Sequence, residues 1–226
     1  MTDAKKDQEH LEILIFSKPS IPDRTEFILG KSQDNPADAM IEVGKALVDI
    51  GVDNIAIPCI TAHYFHDILS QGIKVPIIHL IKETVKYLKA QGITCAGIMA
   101  TEGTIYSHLF QKGLEECGIK AVVPSKERQE DVTYLIYENV KANKPVEFHK
   151  FITVSHELKN KGAQVIILGC TELSLIKRDY DIGPGYLDAM EVLAMRAIIL
   201  SGANLKAEYH SLITKKENHW LETKKH

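Results

Sequence analysis

Short apolar runs alternate with longer amphipathic stretches along this chain. EILIF (12–16), NIAIP (54–58), VPIIHL (75–80), ITCAGIMA (93–100), IKAVV (119–123) and QVIILG (164–169) are apolar and mostly rich in β-branched residues, as buried strands are. Between them, segments 36–50, 81–91, 105–117 and 146–161 read as amphipathic helices. This alternation predicts an α/β fold with parallel sheets flanked by helices. The punctuation agrees: Pro36 opens a helix, Gly92, Gly118 and Gly162 stand where helices hand over to strands, and Asn143 with Pro145 separates two helices.

One pattern occurs twice. NIAIPC-ITAHYF and QVIILGC-TELSLI both run apolar strand, cysteine, threonine within two residues, then a helical or half-helical segment. The repetition predicts two similar lobes, each presenting one cysteine at the C-terminal end of a strand, with the active site in the cleft between them. Ligands of open parallel sheets bind at that end of the strands. We expect a first lobe of residues 1–92 plus 188–210, a second lobe of 93–187, and a charged tail, 211–226.

With 226 residues and 45% of them hydrophobic, the chain can bury a sizeable core. A formal charge of −3 and a pI near 6.4 give no footprint for nucleic acid. No apolar run approaches the roughly 20 residues that span a bilayer, and no signal-type segment opens the chain, so a cytoplasmic location and a small-molecule partner are expected, with neither nucleic acid nor membrane. The four cysteines, Cys59, Cys95, Cys117 and Cys170, lack CxxC spacing, which argues against a zinc cage or a disulfide framework. Cys95 and Cys117 read as packing.

Cys59 and Cys170 differ, because each precedes a helix-starting sequence. Partial positive charge and unpaired N–H groups at a helix N-terminus ease ionisation of a thiol and hold an anion beside it. Two thiols facing a substrate from opposite sides could take a proton from one face of a carbon and return one to the other, which is racemisation. The plain alternative is that both are small residues capping strands.

Pro58-Cys59-x-Thr61-Ala62-His63 and Gly169-Cys170-Thr171-Glu172, with IPDRT (21–25), ATEGT (100–104) and DAMEVLA (188–194) in the same order, resemble the cofactor-independent aspartate/glutamate racemase family, most closely its aspartate racemase branch. The resemblance implies that Cys59 and Cys170 are the acid/base pair, working without pyridoxal phosphate or any other cofactor on a small acidic amino acid. It implies that Arg24 and Lys141 grip the side-chain carboxylate, Arg as a bidentate clamp and Lys as a point charge; solvated loop charges are the bland reading of both. The α-carboxylate would fall to Thr61, Thr101, Thr104 and Thr171 with nearby backbone N–H groups, although Thr61 and Thr171 could equally be helix N-caps. His63 could orient the site or be a hydrogen-bonded core histidine, and Glu172 could tune the thiol, hold the substrate ammonium or act as a local cap. A homodimer is also implied, with helix 186–202 returning to the first lobe.

Two departures stand out. Relatives carry Asn where this chain has Ile60, and losing such an amide contact costs on the order of 1–3 kcal/mol of binding. Relatives also open with a strand, a glycine-rich turn and a helix that do not precede EILIF here. The rival reading is therefore a catalytically degraded relative that at most binds an acidic amino acid.

Overall fold

The computed structural model describes residues 1–215. In chain order the elements are α1 (Arg24–Ile28), α2 (Pro36–Ile50), a tight 3-10 segment (Ile60–Phe65), α3 (His66–Gly72), α4 (Leu80–Ala90), β1 (Cys95–Ala100), α5 (Glu102–Tyr106), α6 (Leu109–Glu116), β2 (Lys120–Val122), α7 (Lys126–Tyr134) running into a wide π-helical turn (Leu135–Lys141), α8 (Phe148–Asn160), β3 (Val165–Gly169), α9 (Thr171–Asp179), β4 (Tyr186–Asp188) and α10 (Ala189–Leu200).

The four strands form one parallel sheet in the order β2-β1-β3-β4, with Ala96 opposite Val165 and Ile166 opposite Tyr186. Side chains alternate between its faces as the pleat requires. Ala96, Ile98, Ala100, Val165, Ile167 and Leu187 pack with α4, α6 and α10, while Met99, Val122, Ile166, Leu168 and Tyr186 pack with α7, α8 and α9. Both faces are covered, which is why β1 and β3 read as unbroken apolar runs.

Several expected elements are corrected. EILIF is not a strand: residues 12–16 have no regular structure, and Ile13 and Ile15 are 73% and 84% exposed. A lone extended run without a neighbouring strand has nowhere to place its N–H and C=O groups except water. NIAIP and VPIIHL shrink to one parallel bridge, Ile55 with Ile77, closed by Ile55 N–H to Pro76 O and Ile78 N–H to Ile55 O, both 2.9 Å. The second sheet is thus a vestige over a small core of Met40, Phe65, Leu69 and Ile73. The helix expected over 105–117 breaks at His108, whose φ of 56° is left-handed. The helix expected from 186 begins at Ala189, after the short strand β4.

Helix α10 packs against α4 in the same apolar cluster that covers one face of the sheet. Asp188 caps it by accepting from Met190 N–H at 2.9 Å. The first residues of the expected charged tail are packed: Leu212 is buried and its N–H donates to the Tyr87 hydroxyl at 2.7 Å. The rest of that tail, 216–226, lies outside the described residues.

Candidate active site

A cavity of about 110 Å³ opens at the C-terminal end of β3, lined by Cys59, Cys170, Arg24, Thr61, Thr101, Lys141 and Thr171. Seven of the eight residues read from the sequence therefore share one space. Thr104 does not line it. It is fully buried behind the wall, where its hydroxyl lies 3.0 Å from both Thr61 Oγ1 and Thr101 Oγ1.

Each cysteine is the N-cap of the segment that follows it: Cys59 of Ile60–Phe65 and Cys170 of α9. Thr61 and Thr171 lie inside those segments, so neither is the cap. Thr101 is a cap, accepting from Thr104 N–H at 3.2 Å, and this turns α5 toward the cavity. Cys170 ends β3 with an extended backbone, and its carbonyl accepts from Leu173 N–H at 3.0 Å. Ser174 Oγ, one turn along, donates to Asp188 at 2.8 Å, which pins α9 against the start of α10. Burial raises the Asp188 carboxyl above its ordinary range.

Electrostatics separate the two thiols. Cys170 is buried, and its Sγ donates to Glu172 Oε2 at 2.8 Å. Burial, then the Glu172 charge and the hydrogen bond to its carboxylate, and last the Cys59 sulfur push the Cys170 thiol well above its usual value against the opposing pull of the Glu172 backbone N–H, because each of the former disfavours a thiolate there. Cys59 is only half-buried. The Glu172 carboxylate also accepts from Thr171 Oγ1 at 2.8 Å and faces Lys141 Nζ at 4.0 Å.

Arg24 opens α1, and its Nη1 donates to the carbonyls of Ile21 and Pro22 at 3.1 and 2.9 Å. These bonds fold the guanidinium against its own loop. Asp23 caps the same helix through Glu26 N–H at 2.9 Å. Helix α1 sits hard against α5 because residue 103 is glycine: a Cβ there would lie 3.0 Å from Thr25 Cα. Lys141 closes the π-helical turn with its ammonium 4.5 Å from the Tyr137 ring centroid. Wide turns of this kind recur at functional sites.

Asp23 and Thr25 of IPDRT and Gly169 of the second cysteine motif also line the cavity, as does Tyr137, which was not singled out in the sequence. Tyr137 hydrogen-bonds Thr25, and burial raises its phenol above the ordinary value. Its signal was its place four residues before Lys141, the spacing that stacks side chains on one helical face. Ile60 lines the cavity as well, though only 2% of it is exposed and it packs into the core. His63 is a buried core histidine whose Nε2 donates to the Ile57 carbonyl at 3.1 Å. It stands beside His66 and His79, with ring centroids 6.2 and 5.8 Å away. Among the described residues no group of three or more His, Cys, Asp or Glu side chains is arranged to hold a metal ion.

The family described as Asp/Glu/Hydantoin racemase matches residues 1–205. The chain belongs to that family. Among characterised relatives, the broad specificity amino-acid racemase RacX of Bacillus subtilis is 29% identical over 175 residues, covering 76% of this chain and 74% of RacX. Among solved structures, the aspartate racemase of Picrophilus torridus superposes with a TM-score of 0.78 at 27% identity, covering 93% of this chain and 88% of that one. An aspartate racemase homologue from Pyrococcus horikoshii shares the fold, with a TM-score of 0.70 at 24% identity over 87% of this chain and 86% of that one. The chain is an α/β protein of the racemase family, and no helix among its described residues is long and apolar enough to cross a membrane.

Proposed function

We propose that the protein interconverts the enantiomers of a small acidic amino acid, with aspartate the first candidate, by two-base proton transfer between Cys59 and Cys170. The observation that carries this reading is that both thiols, each at the N-terminus of a helical segment, line one cavity together with Arg24, Lys141 and five hydroxyl-bearing residues, Thr61, Thr101 and Thr171 among them. Carboxylates suit the cations, and the developing charge on the α-carboxylate suits hydroxyls and helix N-termini.

Cys170 starts as the acid, since burial and Glu172 hold its proton. The base role then falls to Cys59. A Cys59 thiolate takes the Cα proton and becomes a thiol, the electron pair delocalises into the carboxylate, and Cys170 delivers its proton to the opposite face and becomes a thiolate. The reverse reaction exchanges the roles. Arg24 and Lys141 hold the side-chain carboxylate, and Thr61, Thr101 and Thr171 hold the α-carboxylate. Thr104 supports Thr61 and Thr101 from behind. The working assembly is a homodimer in the cytoplasm.

Solvent deuterium exchange at Cα of each aspartate enantiomer tests the reading. Wild-type protein exchanges deuterium into both, and Cys59→Ala and Cys170→Ala each abolish racemisation and lose the exchange of the one enantiomer whose Cα proton faces the missing thiol. Racemisation, or exchange of both enantiomers, that survives either substitution removes the two-thiol mechanism. Absence of exchange in the wild type with retained aspartate binding leaves a binding protein.

A further inference from the structure

The cavity wall carries four formal charges, from Asp23, Glu172, Arg24 and Lys141, and they are not equally available. Asp23 is spent as a helix cap. Arg24 donates to two carbonyls and is ion-paired with no carboxylate among the described residues. It can therefore still receive one. Lys141 already faces Glu172 Oε1 at 4.0 Å, while the other Glu172 oxygen receives the Cys170 thiol and the Thr171 hydroxyl. Glu172 is largely enclosed, with 16% of its side chain exposed, against 40% for Lys141. Besides the lysine, the glutamate is held by Cys170 and Thr171, whereas the lysine, more exposed and otherwise resting over the Tyr137 ring, is the partner that can turn.

We infer that Glu172 is the specificity-determining residue of this site: its carboxylate competes with the substrate's side-chain carboxylate for Lys141 and so narrows the preference for acidic over neutral amino acids. The inference rests on the racemase reading for its substrate class. A zwitterion with an uncharged side chain brings one carboxylate, which Arg24 or the hydroxyls can hold while the Lys141–Glu172 pair stays intact. An acidic amino acid brings a second carboxylate. That group must draw Lys141 away from Glu172 and so gives up the attraction of that pair, which is stronger beside the partly buried Glu172 than in bulk water. Specificity is the difference between two such affinities.

The test is a double-mutant cycle read by calorimetric binding of L-aspartate and L-alanine to the full-length protein. Glu172→Gln keeps the size and an acceptor oxygen for the thiol but removes the charge. It is expected to shift the ratio of dissociation constants toward aspartate by about tenfold, with alanine affinity little changed. The shift is expected to vanish in a Lys141→Met background, because the competition requires the lysine. An unchanged ratio, or an equal shift without Lys141, overturns the inference. Binding and turnover fail separately here: a shifted ratio in a protein without Cα exchange sinks the racemase reading alone, whereas exchange with an unshifted ratio sinks only the role of Glu172.

Discussion

Thr61 Oγ1 and Thr104 Oγ1 lie 3.0 Å apart, and Thr101 Oγ1 closes the triangle at 2.9 Å from the first and 3.0 Å from the second. This knot ties the segment after Cys59 to the N-terminus of α5, so the placement of one thiol depends on hydroxyls supplied by the next part of the chain. Thr104→Val keeps the shape but leaves two buried hydroxyls short of a partner. It is expected to destabilise the protein by about 1–2 kcal/mol, measured by urea unfolding. Thr171→Val is the contrast, since that hydroxyl meets only Glu172, whose carboxylate keeps Cys170 and Lys141 as partners; its stability is expected to stay within about 0.5 kcal/mol of wild type. Equal costs at the two positions would mean that the triangle holds nothing together.

The two thiols are expected to react in a fixed order. Alkylation requires a thiolate and access. Cys170 is 7% exposed, donates its proton to Glu172, and has its ionisation pushed upward. Cys59 is half-buried at the cavity wall. Brief treatment with iodoacetamide at pH 8, followed by peptide mass spectrometry, should therefore mark Cys59 before Cys170. Glu172→Gln should speed the labelling of Cys170, because an adjacent negative charge is gone. Labelling of Cys170 first would reverse the proposed acid and base.

The central sheet was legible because its strands are covered on both faces. ITCAGIMA and QVIILG have no polar face, and the structure places them side by side as β1 and β3. The cavity was legible because Thr101 and the Cys170-Thr171 pair follow directly on the ends of β1 and β3, and Cys59 opens a helical segment, so local sequence sets direction. What failed was long-range. Nothing inside EILIF says whether a neighbouring strand is present, and the same apolar pattern serves a paired strand or an exposed run. Tyr137 was missed because its meeting with Thr25 joins segments more than a hundred residues apart. The break at His108 was hidden too, since its left-handed backbone carries no glycine to announce it.

The correction at EILIF makes a direct prediction. Were Ile15 a core strand residue, truncation would cost about 2–5 kcal/mol. With 84% of it exposed, Ile15→Ser is expected to leave the unfolding free energy within about 0.5 kcal/mol of wild type. Ile98→Ala, at a fully buried position of β1, should show the full core cost. Urea denaturation of both variants at one protein concentration makes the comparison. A large loss from Ile15→Ser would restore that segment to the core.

The His63, His66 and His79 group should make the fold acid-sensitive. Burial, outweighing the bond to the Ile57 carbonyl, lowers the His63 imidazole from 6.5 to about 4, with a further push from His66. Burial and the charges of His66, His63 and Lys82 lower His79 to about 4 as well. A depressed histidine means that the unfolded chain binds more protons between those values. Stability is therefore complete above pH 6.5 and is lost as pH falls toward 4. For the buried His63, a shift of that size corresponds to roughly 3 kcal/mol; His79 is partly exposed and adds less, because solvent screens it. Urea unfolding of the wild type should weaken progressively from pH 6.5 to 4.5, and His63→Asn should flatten that dependence. Imidazole proton NMR gives the independent check: a His63 resonance that titrates near 6.5 in the folded protein would show that its burial exerts no such penalty.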